Sequence, residues 1–150
     1  MDLIQKIKRI EQYVVENFEE LDMDDPIEEG YWEEYQEIPG ASQKEIEAFE
    51  KKFSIKLPKD FKELYSYKNG SQYFSILPSV IHGVEMSFNL MSMKQIEKTK
   101  QYFQNRDALL TEFPDFFTEE EIEKMRDSRV KPYLFHKQWI PFAEYCDSCF

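Results

Sequence analysis

Gly40-Ala41-Ser42-Gln43-Lys44-Glu45-Ile46-Glu47-Ala48-Phe49-Glu50, then Ile55-Lys56-Leu57-Pro58-Lys59-Asp60-Phe61-Lys62-Glu63-Leu64, closed by Asn69-Gly70, is the stretch on which the fold turns. Ser42 followed three residues later by Glu45 is a capping-box pattern, in which each side chain satisfies a backbone N–H of the first helical turn. Ile46, Phe49 and Phe53 then recur at helical spacing, so a short helix is expected to end near Ser54. Leu57-Pro58-Lys59-Asp60 starts a second helix with Pro at a first helical position, where its missing N–H costs nothing. Phe61, Leu64 and Tyr65 form its buried face, and Asn69-Gly70 supplies residues that tolerate a left-handed backbone where it stops.

Toward the N-terminus, Leu3, Ile4, Ile7, Ile10, Val14, Val15 and Phe18 draw one apolar stripe, which predicts a helix from about Asp2 to Glu20. Asp22 to Gly40, with Pro26, Gly30 and Pro39, reads as a connector. Toward the C-terminus, Tyr73-Phe74-Ser75-Ile76-Leu77 reads as a strand and Val80 to Leu90 as extended chain broken by Gly83. Ser92-Met93-Lys94-Gln95 caps a helix whose stripe is Ile96, Tyr102 or Phe103, and later Leu109 and Leu110. Thr118 opens a short helical turn with Ile122 and Met125, and Tyr133 to Phe142 reads as one or two strands interrupted by Pro141. Helices precede strands rather than alternating with them, which predicts an α+β fold over a doubly wound one.

The 150 residues, 41% hydrophobic and with 13 Phe, 9 Tyr and 2 Trp, suffice for one domain that folds without staples. A net charge of −11 disfavours nucleic acid and anionic membrane surfaces, which are held chiefly by Lys and Arg. No apolar run is long enough to span a bilayer, and the N-terminus lacks the basic-then-apolar order of a signal peptide, so a cytoplasmic location is expected. Cys146 and Cys149, the two cysteines, are expected to be reduced thiols, since a bridge between them would close a tiny loop.

The charge is concentrated. From Glu11 to Glu37 there are twelve acidic residues and no Lys or Arg, so the rest of the chain holds 18 acidic and 19 basic residues, a net of +1. One reading is a solvated face that aids solubility. The other is a surface for a basic partner, because Tyr31, Trp32 and Tyr35 are interleaved with Glu28, Glu29, Glu33 and Glu34. Protein interfaces use aromatic anchors for buried area and charge for steering. These seven residues are the candidate partner-binding set, although for Trp32 core packing is the stronger expectation because Trp is highly buried on average.

The opening stretch resembles the signature of the SUKH superfamily, the Smi/Knr-type domain: a small-residue start, Ser-x-x-Glu-Ile-x-x-Phe-Glu, Leu-Pro-x-Asp-Phe-x-x-Leu and a closing Asn-Gly. Trp139-Ile140-Pro141-Phe142-Ala143 is similar to the family's Trp-Leu-Pro-Phe-Ala strand, so the likeness spans roughly positions 40 to 150. The chain is expected to be a single SUKH-like domain over 1–150, with the N-terminal helix and acidic connector at about 1–39, and the resemblance implies a curved, largely antiparallel sheet flanked by helices. It also implies a role, since bacterial members are similar to immunity proteins that neutralise a cognate toxin, often a nuclease. The family motifs are structural and transfer no catalytic residue.

The sequence completes no catalytic or metal-binding motif. Cys146-x-x-Cys149 has the spacing of half a zinc site, but four-coordinate zinc needs two more ligands, and only His82 and His136 are available, neither in a ligand pattern. Asp22, Asp24, Glu28 and Glu33 have EF-hand spacing, yet Ile27 stands where Gly is required and Pro26 where an oxygen ligand should be. No Gly-rich phosphate loop and no nucleophile elbow is present. The sequence therefore predicts a non-enzymatic protein with no cofactor, no metal and no catalytic residue. Its expected partner is a protein toxin with a basic surface, of a bacterial polymorphic or contact-dependent system. The alternative is a non-enzymatic regulatory or scaffolding module for intracellular protein partners.

Overall fold

The computed structural model describes residues 2–81, 84–103, 107–125, 127, 129 and 131–145. In chain order the elements are α1 (Leu3–Glu16), α2 (Tyr31–Glu37), α3 (Gln43–Phe53), α4 (Lys59–Tyr67), β1 (Leu77–Ile81), β2 (Val84–Leu90), α5 (Met93–Phe103), β3 (Ala108–Leu109), a 3₁₀ turn (Leu110–Glu112), α6 (Glu119–Met125), β4 (Tyr133–Phe135) and β5 (Ala143–Tyr145). The class is α+β, as expected, with its strands in two small antiparallel sheets. One has the order β1-β2-β5, with Leu77 opposite Phe88 and Phe88 opposite Tyr145; the other is the pair β3-β4. The chain divides into two compact units, Met1–Gln95 with Phe142–Phe150, and Ile96–Pro141.

In the first unit the helix starts lie where the caps predict. Ser42 Oγ accepts from Glu45 N, and Glu45 Oε2 accepts from Ser42 N at 2.7 Å. The same exchange between Ser92 and Gln95 opens α5. The family-like stretch becomes a helix pair with two close constraints. Gly40 lies so near α4 that a Cβ there would fall 1.8 Å from the Ser66 carbonyl oxygen, and Ala41 N donates to Tyr65 O at 2.7 Å. Glu50, at the end of the Ser-x-x-Glu-Ile-x-x-Phe-Glu run, accepts from Leu57 N at 2.7 Å, with Lys56 and Lys62 each 3.5 Å away. The Leu57 N–H first, and then the two ammonium groups, hold its carboxyl below the ordinary glutamate range. The core is built from Val14 of α1, Ile46 and Phe49 of α3, Tyr65 of α4, and Phe74, Ile76 and Leu90, all buried.

In the second unit Ile96, Ala108 and Ile122 are buried. Lys100, also buried, donates its ammonium to the carbonyls of Lys137 and Trp139 at 2.6 and 3.1 Å. Burial of that ammonium lowers its pKa from the ordinary lysine value.

Four expectations change. α1 ends at Glu16 rather than Glu20, where Asn17 folds its Nδ2 back onto Tyr13 O at 2.8 Å and the chain continues in turns. Tyr73 to Ile76 is not a strand. Gln72 is left-handed, and the segment is held by side chains instead of a ladder, with Ser71 Oγ accepting from Leu90 N and Ser75 Oγ donating to Asn89 Oδ1 at 2.6 Å. Leu109 and Leu110 belong to β3 and the 3₁₀ turn, not to a helix. The Trp139-Ile140-Pro141 run is loop and pairing resumes only at Ala143, consistent with a proline that has no N–H to give a ladder.

Candidate functional site

The acidic segment expected to be a connector contains a helix, and it is a built structure. After α1 the backbone turns at Asp22, whose φ of 52° is left-handed, and Met23 N returns to Phe18 O at 3.0 Å. Asp25 Oδ1 accepts from Ile27 N and Glu28 N at 2.9 and 3.1 Å, an Asx turn made by the aspartate's own side chain. Gly30, at φ 76°, is the N-cap of α2, and Trp32 N donates to the carbonyl of the buried Pro26 at 2.9 Å. Glu33 and Glu34 lie in the first turn of α2, where the positive end of the helix dipole favours carboxylates.

The inner side of α2 is tied to the core by a polar cluster. Tyr35, a member of the candidate set, is 1% exposed and faces the core. Its ring stacks on Phe74 with centroids 4.7 Å apart, and its hydroxyl donates to Glu11 Oε1 at 2.6 Å. Tyr67 donates to the other oxygen of Glu11 at 3.2 Å. Lys68 sits at the C-terminal end of α2 and donates to the carbonyls of Tyr35, Gln36 and Ile38 at 2.9, 2.7 and 2.9 Å. Burial lowers the Lys68 pKa, and the charges of Glu11 and Glu37 oppose that shift. Burial, with Glu11 adding to it, raises Tyr67 to about 12.

The outer side is different. Glu28, Glu29, Glu33 and Glu34 are exposed, while Tyr31 and Trp32 are half-buried at their root. Trp32 packs against Phe74 at 5.2 Å and Tyr35 at 5.9 Å, the packing role expected for it. Tyr31 meets Tyr73, with ring centroids 5.7 Å apart. Beside this pair is a groove of about 240 Å³, whose lining includes Asp22, Asp24, Tyr31, Tyr73 and Tyr145 with the buried Phe74 and Pro26. Asp22 and Asp24 stood out in the sequence for their acidity and EF-hand spacing, and Tyr73 only as the start of an expected strand; neither Tyr73 nor Tyr145 was in the candidate set. Nothing in the spacing of residues 31, 73 and 145 signals that they converge.

A comparison with known families matches residues 40–150 to the SMI1 / KNR4 family (SUKH-1). The chain belongs to this family. The match covers the helix pair α3–α4 and everything after it, whereas α1, the acidic turn and α2 lie outside it. This SUKH-1 family includes immunity proteins, and its domains are generally immunity proteins rather than enzymes. No match to a curated protein or to a solved structure was found.

Among the described residues no three His, Cys, Asp or Glu side chains are grouped to hold a metal ion. His82, Cys146 and Cys149 lie outside the described residues. His136 has Nε2 3.5 Å from Asp107 Oδ2, and its Nδ1 accepts from Gln138 N at 3.1 Å. No hydroxyl is hydrogen-bonded to that imidazole among the described residues. No helix among the described residues is long and apolar enough to cross a membrane.

Proposed function

We propose that this SUKH-1 protein is a non-enzymatic, cytoplasmic immunity protein that binds and neutralises a cognate toxin with a basic surface, of a bacterial polymorphic or contact-dependent system. The observation that carries the reading is the division of the acidic segment into two sides. Tyr35, Glu11 and Lys68 fasten its inner side, and four exposed carboxylates, Glu28, Glu29, Glu33 and Glu34, stand on its outer side. A loop serving only solubility needs no such anchorage, whereas a docking surface gains affinity when its geometry is set before the partner arrives. A nuclease must be basic where it holds nucleic acid, so clustered carboxylates would compete for that groove and speed capture. Tyr31 and the exposed part of Trp32 would supply apolar area at the base of the carboxylates.

The test is co-expression with the toxin encoded by the neighbouring gene, scored by survival of the host and by co-purification. Rescue together with a stable complex supports the reading. Death of the host with both proteins folded and expressed overturns it.

A further inference from the structure

We propose that the groove beside Tyr31 and Tyr73 receives one arginine side chain of the protein partner, its guanidinium paired with Asp22 and Asp24 and laid against the tyrosine rings. This rests on the reading of the acidic segment as a docking surface and names what that surface grips. Three features single out the groove.

The first is charge. Asp22 and Asp24 line the groove, no Lys or Arg does, and neither carboxylate makes a side-chain hydrogen bond or ion pair among the described residues. Two unpaired carboxylates on one wall attract a cation. The second is ring surface. Tyr73 is 64% exposed and Tyr145 42% exposed, and both line the groove, so it carries accessible tyrosine surface. An aromatic face attracts a cation through its quadrupole, and a guanidinium stacks on it flat. The third is size and stiffness. The groove, of about 240 Å³, is large enough to take one long side chain. Its lining includes the fully buried Phe74 and Pro26, which hold that part of the groove in place before binding.

Arginine fits better than lysine because the planar fork can meet two carboxylates and a ring together, whereas an ammonium is a strongly hydrated point charge. A metal ion fits poorly, since among the described residues no third Asp, Glu, His or Cys joins the two aspartates.

The test needs no toxin. Isotope-labelled protein is titrated with acetyl-Gly-Arg-Gly-amide and, separately, with acetyl-Gly-Lys-Gly-amide at low salt, following the amide and ring signals of Tyr31, Tyr73 and Tyr145. The arginine peptide should produce saturable shifts confined to the groove, with an affinity about fivefold or more above the lysine peptide. The double variant Asp22→Asn with Asp24→Asn should lose saturable binding, and Asn keeps the left-handed turn at position 22 accessible. Tyr73→Ala, at an exposed position, should weaken binding roughly fivefold. Replacing Glu28, Glu29, Glu33 and Glu34 by Gln should leave the shifts within the groove. Non-saturating shifts, shifts spread over the whole acidic surface, or wild-type binding by the aspartate double variant would overturn the proposal. Failure here with toxin capture intact removes the arginine groove alone, whereas failed toxin rescue with groove binding intact removes the immunity reading alone.

Discussion

Replacing Lys68 by Met keeps the length of the side chain and deletes the ammonium that closes the end of α2. The three carbonyl oxygens that lose it are not equivalent. Tyr35 O also accepts from Ile38 N at 3.1 Å, and Gln36 O is only partly buried, so water can take the place of the ammonium there. The Ile38 oxygen is buried and bears most of the loss, about 1–3 kcal/mol for an acceptor left without its donor. Removing a cation from a partly buried helix C-terminus adds up to about 2 kcal/mol. Relief of lysine desolvation and return of side-chain freedom offset about 1–2 kcal/mol. The expected net destabilisation is about 1–2 kcal/mol, or a melting temperature lower by roughly 2–8 °C for a chain of this size. Lys68→Arg should not rescue, because a flat guanidinium cannot point at three converging carbonyls as an ammonium does. Hydrogen exchange locates the effect. Protection in Tyr31–Glu37 should fall more than in α3, since α2 loses its fastening while the α3–α4 pair keeps Glu50 and Leu57. A melting temperature within about 1 °C of the parent, with unchanged protection across α2, would refute the reasoning that Lys68 anchors the acidic surface.

Reversing Glu28, Glu29, Glu33 and Glu34 to Lys should slow association with the toxin by about tenfold or more at low salt and flatten its salt dependence, as measured by surface plasmon resonance; an unchanged on-rate and slope would return these residues to solubility. Glu50→Gln should destabilise the protein at neutral pH, and the difference should shrink in acid. The carboxyl's folded-state pKa lies below its ordinary value of 4.5, so its contribution is present above that value and lost as pH falls through the depressed one; denaturant melts at a series of pH values would show parallel lines if this is wrong. In alkali the sign reverses for Tyr67, raised from 10.0 to about 12, whose contribution is complete below about pH 10 and lost as pH rises through 12. Glu11→Gln should therefore bring the Tyr67 titration down, read by tyrosinate absorbance, and no movement would separate Tyr67 from that carboxylate. Chelator should leave the melting temperature unchanged, whereas stoichiometric zinc with a loss of stability on chelation would assign ligand roles to Cys146 and Cys149.

Local chemistry was legible wherever a short-range rule decides the outcome. The Ser42–Glu45 and Ser92–Gln95 caps depend on residues within a turn of one another, whereas Pro58 lies one residue before the first helical position expected for it and α4 stops at Tyr67, with an extended Lys68 before the left-handed Gly70. The charge asymmetry was countable for the same reason, and it located the segment now seen to hold α2. The helix itself was missed because Pro26, Gly30, Pro39 and Gly40 read as breakers. They bracket seven helical residues whose stability comes from Lys68 and Glu11 rather than from their own propensity.

What the sequence by itself determined is thus the class of the fold, the helix pair that carries the family signature, and the sign and place of the charge. Only the tertiary structure decided which members of the aromatic and acidic set face outward. Tyr35 and Glu34 are neighbours in the chain, yet one is sealed against Phe74 and the other lies in solvent. Only the tertiary structure, too, brought Tyr31, Tyr73 and Tyr145 to one groove with Asp22 and Asp24. The physical reason is one of range. Capping, turn chemistry and charge density act between near neighbours and leave a local mark, whereas burial and convergence depend on contacts tens of residues apart, which no local pattern encodes.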